Sequence, residues 1–251
     1  MINTKNSVFY FPYTAELGDT DKDPYEELTG SRTALERISA MYHSPHYIMD
    51  FHRQEVLYYH DSQGTIYRDT KLAEDLLTMN ILPDTDDLPR LQQCQDRCWQ
   101  HLQTLGNQIA EKSTIINSFK IRSFEFMGKP ALAAIKIHPL IISEKGKTIL
   151  AVNTIEAPYL PEYEIQVIYS PLNHMVYTLR EGEWIEESIE MTEKEKRMIR
   201  FASIGIGYKE LASMFSCTED SVKYCIGKYK KKFSQDSPKK LFHLFKLMEI
   251  I

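Results

Sequence analysis

Residues 191 to 233 leave less freedom of fold than any other part of this chain. They read MTEKEKRMIRFASIGIGYKELASMFSCTEDSVKYCIGKYKKKF. Thr192 followed three residues later by Glu195 forms a capping box, in which each residue satisfies an orphan donor of the first helical turn. Met198, Ile199, Phe201, Ala202 and Ile204 then supply an apolar stripe that ends at Gly205, a residue suited to stopping a helix. Tyr208 to Phe215 predicts a second, short helix with Leu211, Ala212 and Phe215 inward, and small Ala212 lets a neighbouring helix cross closely. Ser216 and Cys217 make the turn. Thr218 caps a third helix whose first turn carries Glu219 and Asp220, the charge sign that a helix N-terminus favours.

On the third helix Val222, Cys225, Ile226, Tyr229 and Phe233 fall on one face at helical spacing, which predicts core. The opposite face carries Ser221, Lys223, Tyr224, Gly227, Lys228 and Lys231. A lysine-bearing helix face is ordinarily just a solvated one. Here it lies on the helix that a capped, correctly spaced two-helix support would present, which is the arrangement of a helix that enters a major groove. Charge agrees. From Thr192 to the end there are 13 Lys plus Arg against 7 Asp plus Glu, a net +6, while residues 1 to 191 carry 17 against 28, a net -11. An acidic body with a basic end is expected where only that end approaches phosphates.

The same stretch resembles the LuxR-type (GerE-like) DNA-binding domain. Thr192, Glu195, Gly205, Lys209, Glu210, Leu211, Ala212, Thr218, Val222, Lys223, Tyr229, Lys232 and Phe233 hold that family's pattern, identically or by close substitution. The resemblance implies a helix-turn-helix, with Ser221, Val222 and Lys223 at the head of the recognition helix and Tyr224 and Gly227 at neighbouring groove-facing positions. The DNA-binding set it implies is Lys209, Thr218, Ser221, Val222, Lys223, Tyr224, Gly227, Lys228 and Lys231. Lys228, Lys230, Lys231 and Lys232 are expected to serve phosphates, which give affinity without sequence information. Two positions depart from the pattern: Cys225 stands where the family has His, and Gly227 where a contacting side chain is common. Ser237-Pro238 starts a fourth helix, with Leu241, Leu244, Phe245, Met248 and Ile251 apolar. In the family such a helix commonly pairs two domains; alternatively these side chains complete the small domain's own core.

Upstream, residues 1 to 24 read as an arm with Phe9, Tyr10, Phe11 and Tyr13. Leu28, Leu35, Ile38 and Met41 suggest one or two helices ending before Pro45. Tyr47 to Phe51 and Glu55 to Tyr59 predict a hairpin, and Lys71 to Asn80 a short helix. Asp84 to Asp87 can cap a long helix with Leu88, Leu91, Cys94, Cys98, Leu102 and Leu105 on one stripe. Strands follow at Ile115 to Phe126, Ala131 to Ile142 and Thr148 to Ile155, then at Glu164 to Tyr169 and Met175 to Arg180, with EGEW as a turn. The hairpin YIMDFHRQEVLYY, the stretch ILPDTDDLPRL before the long helix and the closing GKTILAVNTI resemble a PAS domain. That resemblance implies an antiparallel sheet with helices over one face, serving as a sensory or dimerising module.

The fold class expected is therefore α+β. An arm (1–24) precedes a PAS-like domain (25–160), a strand-rich connector (161–190) and an all-α four-helix LuxR-type domain (191–251). The function expected is a cytoplasmic, dimeric transcriptional regulator that binds double-stranded DNA, with a small-molecule ligand for the PAS-like domain and RNA polymerase as further candidate partners. The sequence names no cofactor. Two other readings stay open: a protein like sigma-factor region 4, because GYKELA followed by SVK also occurs there, and a ligand receptor whose helix-turn-helix docks protein. A sigma factor needs a helical promoter-melting domain, and residues 1 to 190 look strand-rich instead.

An enzyme is not expected, since the chain holds no P-loop, dinucleotide turn or nucleophile elbow. His43, His46, His52 and His60 match no zinc spacing and read as surface or edge residues, alternation sending several to opposite faces. Four cysteines in 251 residues are no disulfide framework. Cys94 and Cys98, stacked at i and i+4, read as small apolar helix residues. Neither a signal peptide nor an apolar run of membrane-spanning length is present, so a membrane location is not expected.

Overall fold

The computed structural model describes residues 14–18, 46–60, 66–67, 86, 88–126, 129–156 and 166–251. The chain divides into two compact units, Met1–Asn173 and His174–Ile251. The expected aromatic arm, apart from residues 14–18, the helices before Pro45, and the helix at Lys71 to Asn80 lie outside the described residues.

The first unit is built on a sheet. Strands β1 (His46–Asp50) and β2 (Glu55–His60) form the expected hairpin. Its turn is closed by Asp50, whose Oδ1 accepts from the backbone N–H groups of His52 and Arg53 at 2.8 and 2.9 Å. A short side chain that satisfies the backbone two and three residues on is what such a turn requires. After the short β3 (Ile66–Tyr67) come α1 (Leu88–Thr104), α2 (Asn107–Glu111), β4 (Thr114–Phe126), β5 (Lys129–Ile142), β6 (Thr148–Glu156) and β7 (Gln166–Ser170). The strand order in this unit is β3-β2-β1-β6-β5-β4-β7, and each neighbouring pair is antiparallel. A turn at residues 143–147 joins β5 to β6. Gly146 there adopts φ +75°, a conformation that β-carbons resist.

Successive residues on a strand face opposite sides. Ile115 and Ile116 are nevertheless both fully buried, so the sheet is covered on both faces around β4. On one face α1 packs against β4 and β7, with Trp99 edge-on to Phe51 at 5.1 Å. Cys98 sits there as a buried thiol that donates to Asn117 Oδ1 at 3.5 Å, and burial pushes its pKa up. Cys94, Cys98, Cys217 and Cys225 are free thiols.

The histidines correct an expectation. His46 and His60 are buried and stacked, their ring centroids 4.7 Å apart. The antiparallel register sets them directly opposite each other on one face, which residue spacing alone does not disclose. Among the described residues no group of three or more side chains is arranged to hold a metal ion, and no helix is long and apolar enough to cross a membrane.

The second unit opens with a hairpin, β8 (Met175–Arg180) and β9 (Glu183–Ser188). Glu181 and Gly182 turn it with φ of +51° and +90°, the mirror-image turn whose twist suits paired strands. β9 is an addition to the expected elements; its mixed acidic sequence has no clean alternation to announce it. Four helices follow: α3 (Glu193–Ser203), α4 (Tyr208–Met214), α5 (Glu219–Lys232) and α6 (Pro238–Leu247).

The expected caps are present. Thr192 and Glu195 form the complete capping box, Thr218 Oγ1 accepts from the Ser221 N–H, and Ser237 Oγ accepts from the Lys240 N–H with Pro238 next in the chain. The helices also stop alike. After α3 the N–H groups of Gly205 and Ile206 bond back to Ala202 and Phe201, the double bond of a Schellman stop with Gly205 at φ +98°. The same pair of bonds closes α4, α5 and α6, with Ser216, Ser234 and Glu249 in the left-handed position. Ile204, expected on the apolar stripe, is 67% exposed, because α3 ends at Ser203 and the stop turns it out of register.

Leu241, Leu244, Phe245, Leu247 and Met248 of the last helix segment are buried within the unit, and Phe245 packs edge-on to Tyr229 and Phe233. Of the two readings left open for α6, the structure supports completion of the unit's own core. A left-handed residue with a β-carbon carries a local penalty that glycine escapes. Ser216→Gly should therefore stabilise the protein by about 0.5–1 kcal/mol, seen as a higher urea midpoint with an unchanged m-value.

Candidate nucleic-acid interface

The three helices α3, α4 and α5 display the divided face that their sequence predicts. Val222, Cys225, Ile226, Tyr229 and Phe233 are all buried. Ser221, Lys223, Tyr224, Lys228 and Lys231 are exposed, with Gly227 between them half-buried. Tyr224 is the most solvent-accessible of the large apolar side chains among the described residues, 75% exposed. A ring that size left in water on the middle of a helix face is available to a partner.

The other predicted contacts distribute unevenly. Lys209 is exposed in the first turn of α4. Thr218 is exposed, but its Oγ1 is engaged in the cap and lies 2.9 Å from Ser221 Oγ. Val222 is 0% exposed, so its side chain serves the support and not the outward face. Lys223 Nζ lies 3.2 Å from Asp220 Oδ1, an open ion pair of the kind that contributes little and exchanges readily. Lys232 Nζ reaches Ser188 Oγ at 3.4 Å. Lys231 has no side-chain partner among the described residues.

Lys228 differs from the rest. Its Nζ lies 2.9 Å from Glu195 Oε1 and 3.3 Å from Tyr229 Oη, and stands 4.7 Å from the centroid of the Tyr229 ring. The other Glu195 oxygen, Oε2, accepts from the Thr192 backbone N–H and the Thr192 hydroxyl. Partial burial raises the Glu195 pKa, but the hydrogen bonds from Thr192 and Lys228 outweigh it and hold the carboxyl at about 2. The hydrogen bonds of Lys228 to Glu195 and Tyr229 raise its own pKa. For the Tyr229 phenol, burial leads and pushes it up to about 12.

Sequence reasoning missed the hairpin's part in this surface. Tyr229 Oη donates to the Glu190 carbonyl at 2.9 Å, and Arg180 donates to Ser234 Oγ at 2.8 Å while pairing with Glu187. The second half of α5 and the stop that follows it are thus tied to residues 180–190. These contacts span 39 and 54 residues and leave no local pattern.

Gly227 is free of any packing demand. A β-carbon built there would meet nothing within 4 Å.

Comparisons with protein-family models and with curated proteins return no match. Among solved structures, a phage VqmA–DPO complex is 11% identical over 91% of this chain and 92% of that chain, with a TM-score of 0.31. A VqmA dimer from Vibrio cholerae is 14% identical over 86% of this chain and 88% of that chain, with a TM-score of 0.28. An RNA-binding Light-Oxygen-Voltage receptor is 11% identical over 79% of this chain and 47% of that chain, with a TM-score of 0.29. TM-scores this low do not establish a shared fold.

Two outcomes are expected. Gly227→Ala should raise stability by about 0.5–1 kcal/mol, because alanine restricts the unfolded chain and costs no packing here; the melting temperature checks it. The Glu195 carboxyl is depressed from its ordinary 4.5 to about 2, so its contribution is complete above pH 4.5 and disappears as pH falls through about 2. The stability difference between the natural protein and Glu195→Gln, followed by urea unfolding, should shrink across that window.

Proposed function

We propose that this chain is a DNA-binding transcriptional regulator without a catalytic step. In this reading a PAS-like body governs or dimerises a LuxR-type helix-turn-helix, and α5 is the recognition helix. The observation that carries the proposal is the divided face of α5. Its apolar residues are spent on the support, and Ser221, Lys223, Tyr224, Gly227 and Lys231 remain outward in one stripe beside a net positive unit. That combination suits a helix that lies in a major groove with lysines near the phosphates. Cys225 is buried, so its replacement of the family's His leaves the outward face unaltered and favours DNA over a protein-docking role.

The first unit supports the sensor half of the proposal. The order β2-β1-β6-β5-β4, with α1 inserted between the hairpin and the three-strand meander, is the topology of a PAS-like sheet. Seven strands among the described residues of this unit favour a regulator over a sigma factor, whose corresponding region would be helical. Among the described residues, Asn117 Nδ2 on β4 and Gln95 Oε1 on α1 are buried without hydrogen-bond partners. A buried donor and a buried acceptor left unpaired cost about 1–3 kcal/mol each.

Binding of a duplex, measured by fluorescence anisotropy across a salt series, tests the main proposal. Affinity should fall steeply as salt rises. Lys223→Ala should narrow the gap between preferred and random sequences, whereas Lys231→Ala should weaken all duplexes alike and flatten the salt slope by about 0.9. Absence of binding at low salt, or binding indifferent to salt, would overturn the reading.

A further inference from the structure

The lysines of α5 are not electrostatically equivalent, and Glu195 makes the difference. Its carboxylate is doubly committed. The capping box fixes Oε2 through the Thr192 backbone N–H at 2.9 Å and the Thr192 hydroxyl at 3.0 Å. With one oxygen anchored to backbone the carboxyl plane cannot rotate away, and Oε1 is left aimed at Lys228 Nζ, 2.9 Å distant. A charge-assisted hydrogen bond to a preorganised acceptor is among the stronger side-chain contacts. Tyr229 reinforces it from beneath, offering Oη at 3.3 Å and its ring face at 4.7 Å. Tyr229 is itself fixed by its hydrogen bond to the Glu190 carbonyl. Lys228 is therefore drawn toward the start of α3 by three fixed groups, although it stands in the outward stripe of α5.

The ion pair of Lys223 with Asp220 has no such anchor, since Asp220 is itself 90% exposed. Lys231 has no side-chain partner among the described residues. Of the three lysines in the stripe, two can turn to a phosphate without breaking a fixed contact. The third cannot.

We propose that Glu195 is a positioning residue that withholds Lys228 from the DNA backbone, so that α5 neutralises one phosphate fewer than its lysines would allow. Affinity for duplex DNA is thereby held down by a carboxylate inside the same unit. This rests on the DNA-binding reading given above. It assigns the capping glutamate a second task, and it removes Lys228 from the phosphate contacts expected from sequence.

The test uses the full chain and a random-sequence duplex of about 30 base pairs, reading log Kd against log salt. Each neutralised phosphate adds about 0.9 to the slope. Glu195→Gln keeps an oxygen for the Thr192 N–H and removes the ion pair. It should steepen the slope by about 0.9 and tighten binding about fivefold at 0.1 M salt. Lys228→Met should leave the natural slope unchanged, and the double variant should return to it. A merely structural role for Glu195 would move stability and leave the slope where it was. An unaltered slope in Glu195→Gln overturns the proposal, as does a flattening of about 0.9 in Lys228→Met alone. Should Glu195→Gln fail to fold by circular dichroism, Lys228→Met still decides. Natural protein that binds no duplex overturns the functional reading and this inference together, whereas salt-dependent binding with a wrong slope response overturns the inference alone.

Discussion

The buried stripe of α5 is the constraint on which the second unit depends. Helices of 11, 7 and 10 residues surround it, and helices so short are marginal in water by themselves. Val222, Cys225, Ile226, Tyr229 and Phe233 give α3, α4 and α6 the apolar surface against which they fold, and those helices in turn exclude water from the stripe. Neither side of this arrangement is stable first. Caps and Schellman stops then fix where each helix begins and ends, which keeps the stripe in register with its support.

Legibility in the sequence follows the distance over which each interaction acts. The caps at Thr192, Thr218 and Ser237 were readable because a side chain bonds to backbone three residues away. The face of α5 was readable because helical periodicity is a local property. Of the helix stops, only Gly205 declared itself, since serine or glutamate in a left-handed conformation carries no compositional mark. The stacked pair His46 and His60 depends on strand register, and the bond between Glu195 and Lys228 on a fold that joins residues 33 apart. β9 was hidden for a different reason: its glutamates obscure the alternation that identifies a half-buried strand.

The candidate surface gains definition from this separation of roles. Side chains that the sequence assigns to DNA contact do not share one environment. Val222 is interior, Ser221 leans on Thr218, Lys228 is held by Glu195, and Lys232 touches the hairpin, while Tyr224 and Lys231 face outward. Residues 180–190 belong to the same physical object as the helices, because Glu190 accepts from Tyr229 of α5 and Arg180, paired with Glu187, holds Ser234 just beyond the end of α5. An acidic hairpin beside a basic helix also offsets part of the repulsion among the clustered lysines.

The left-handed serines after α4 and α5 have an evolutionary meaning. The one after α4, Ser216, marks a point where the framework stands below the stability open to it by a single substitution, at a position outside the outward stripe of α5; the one after α5, Ser234, is held by its bond from Arg180. A unit with such headroom can absorb destabilising changes on its exposed face and regain the loss at a helix stop. Recognition and scaffold are thereby mutationally separable: the identity of the bound sequence can drift while the fold that presents it is repaired elsewhere.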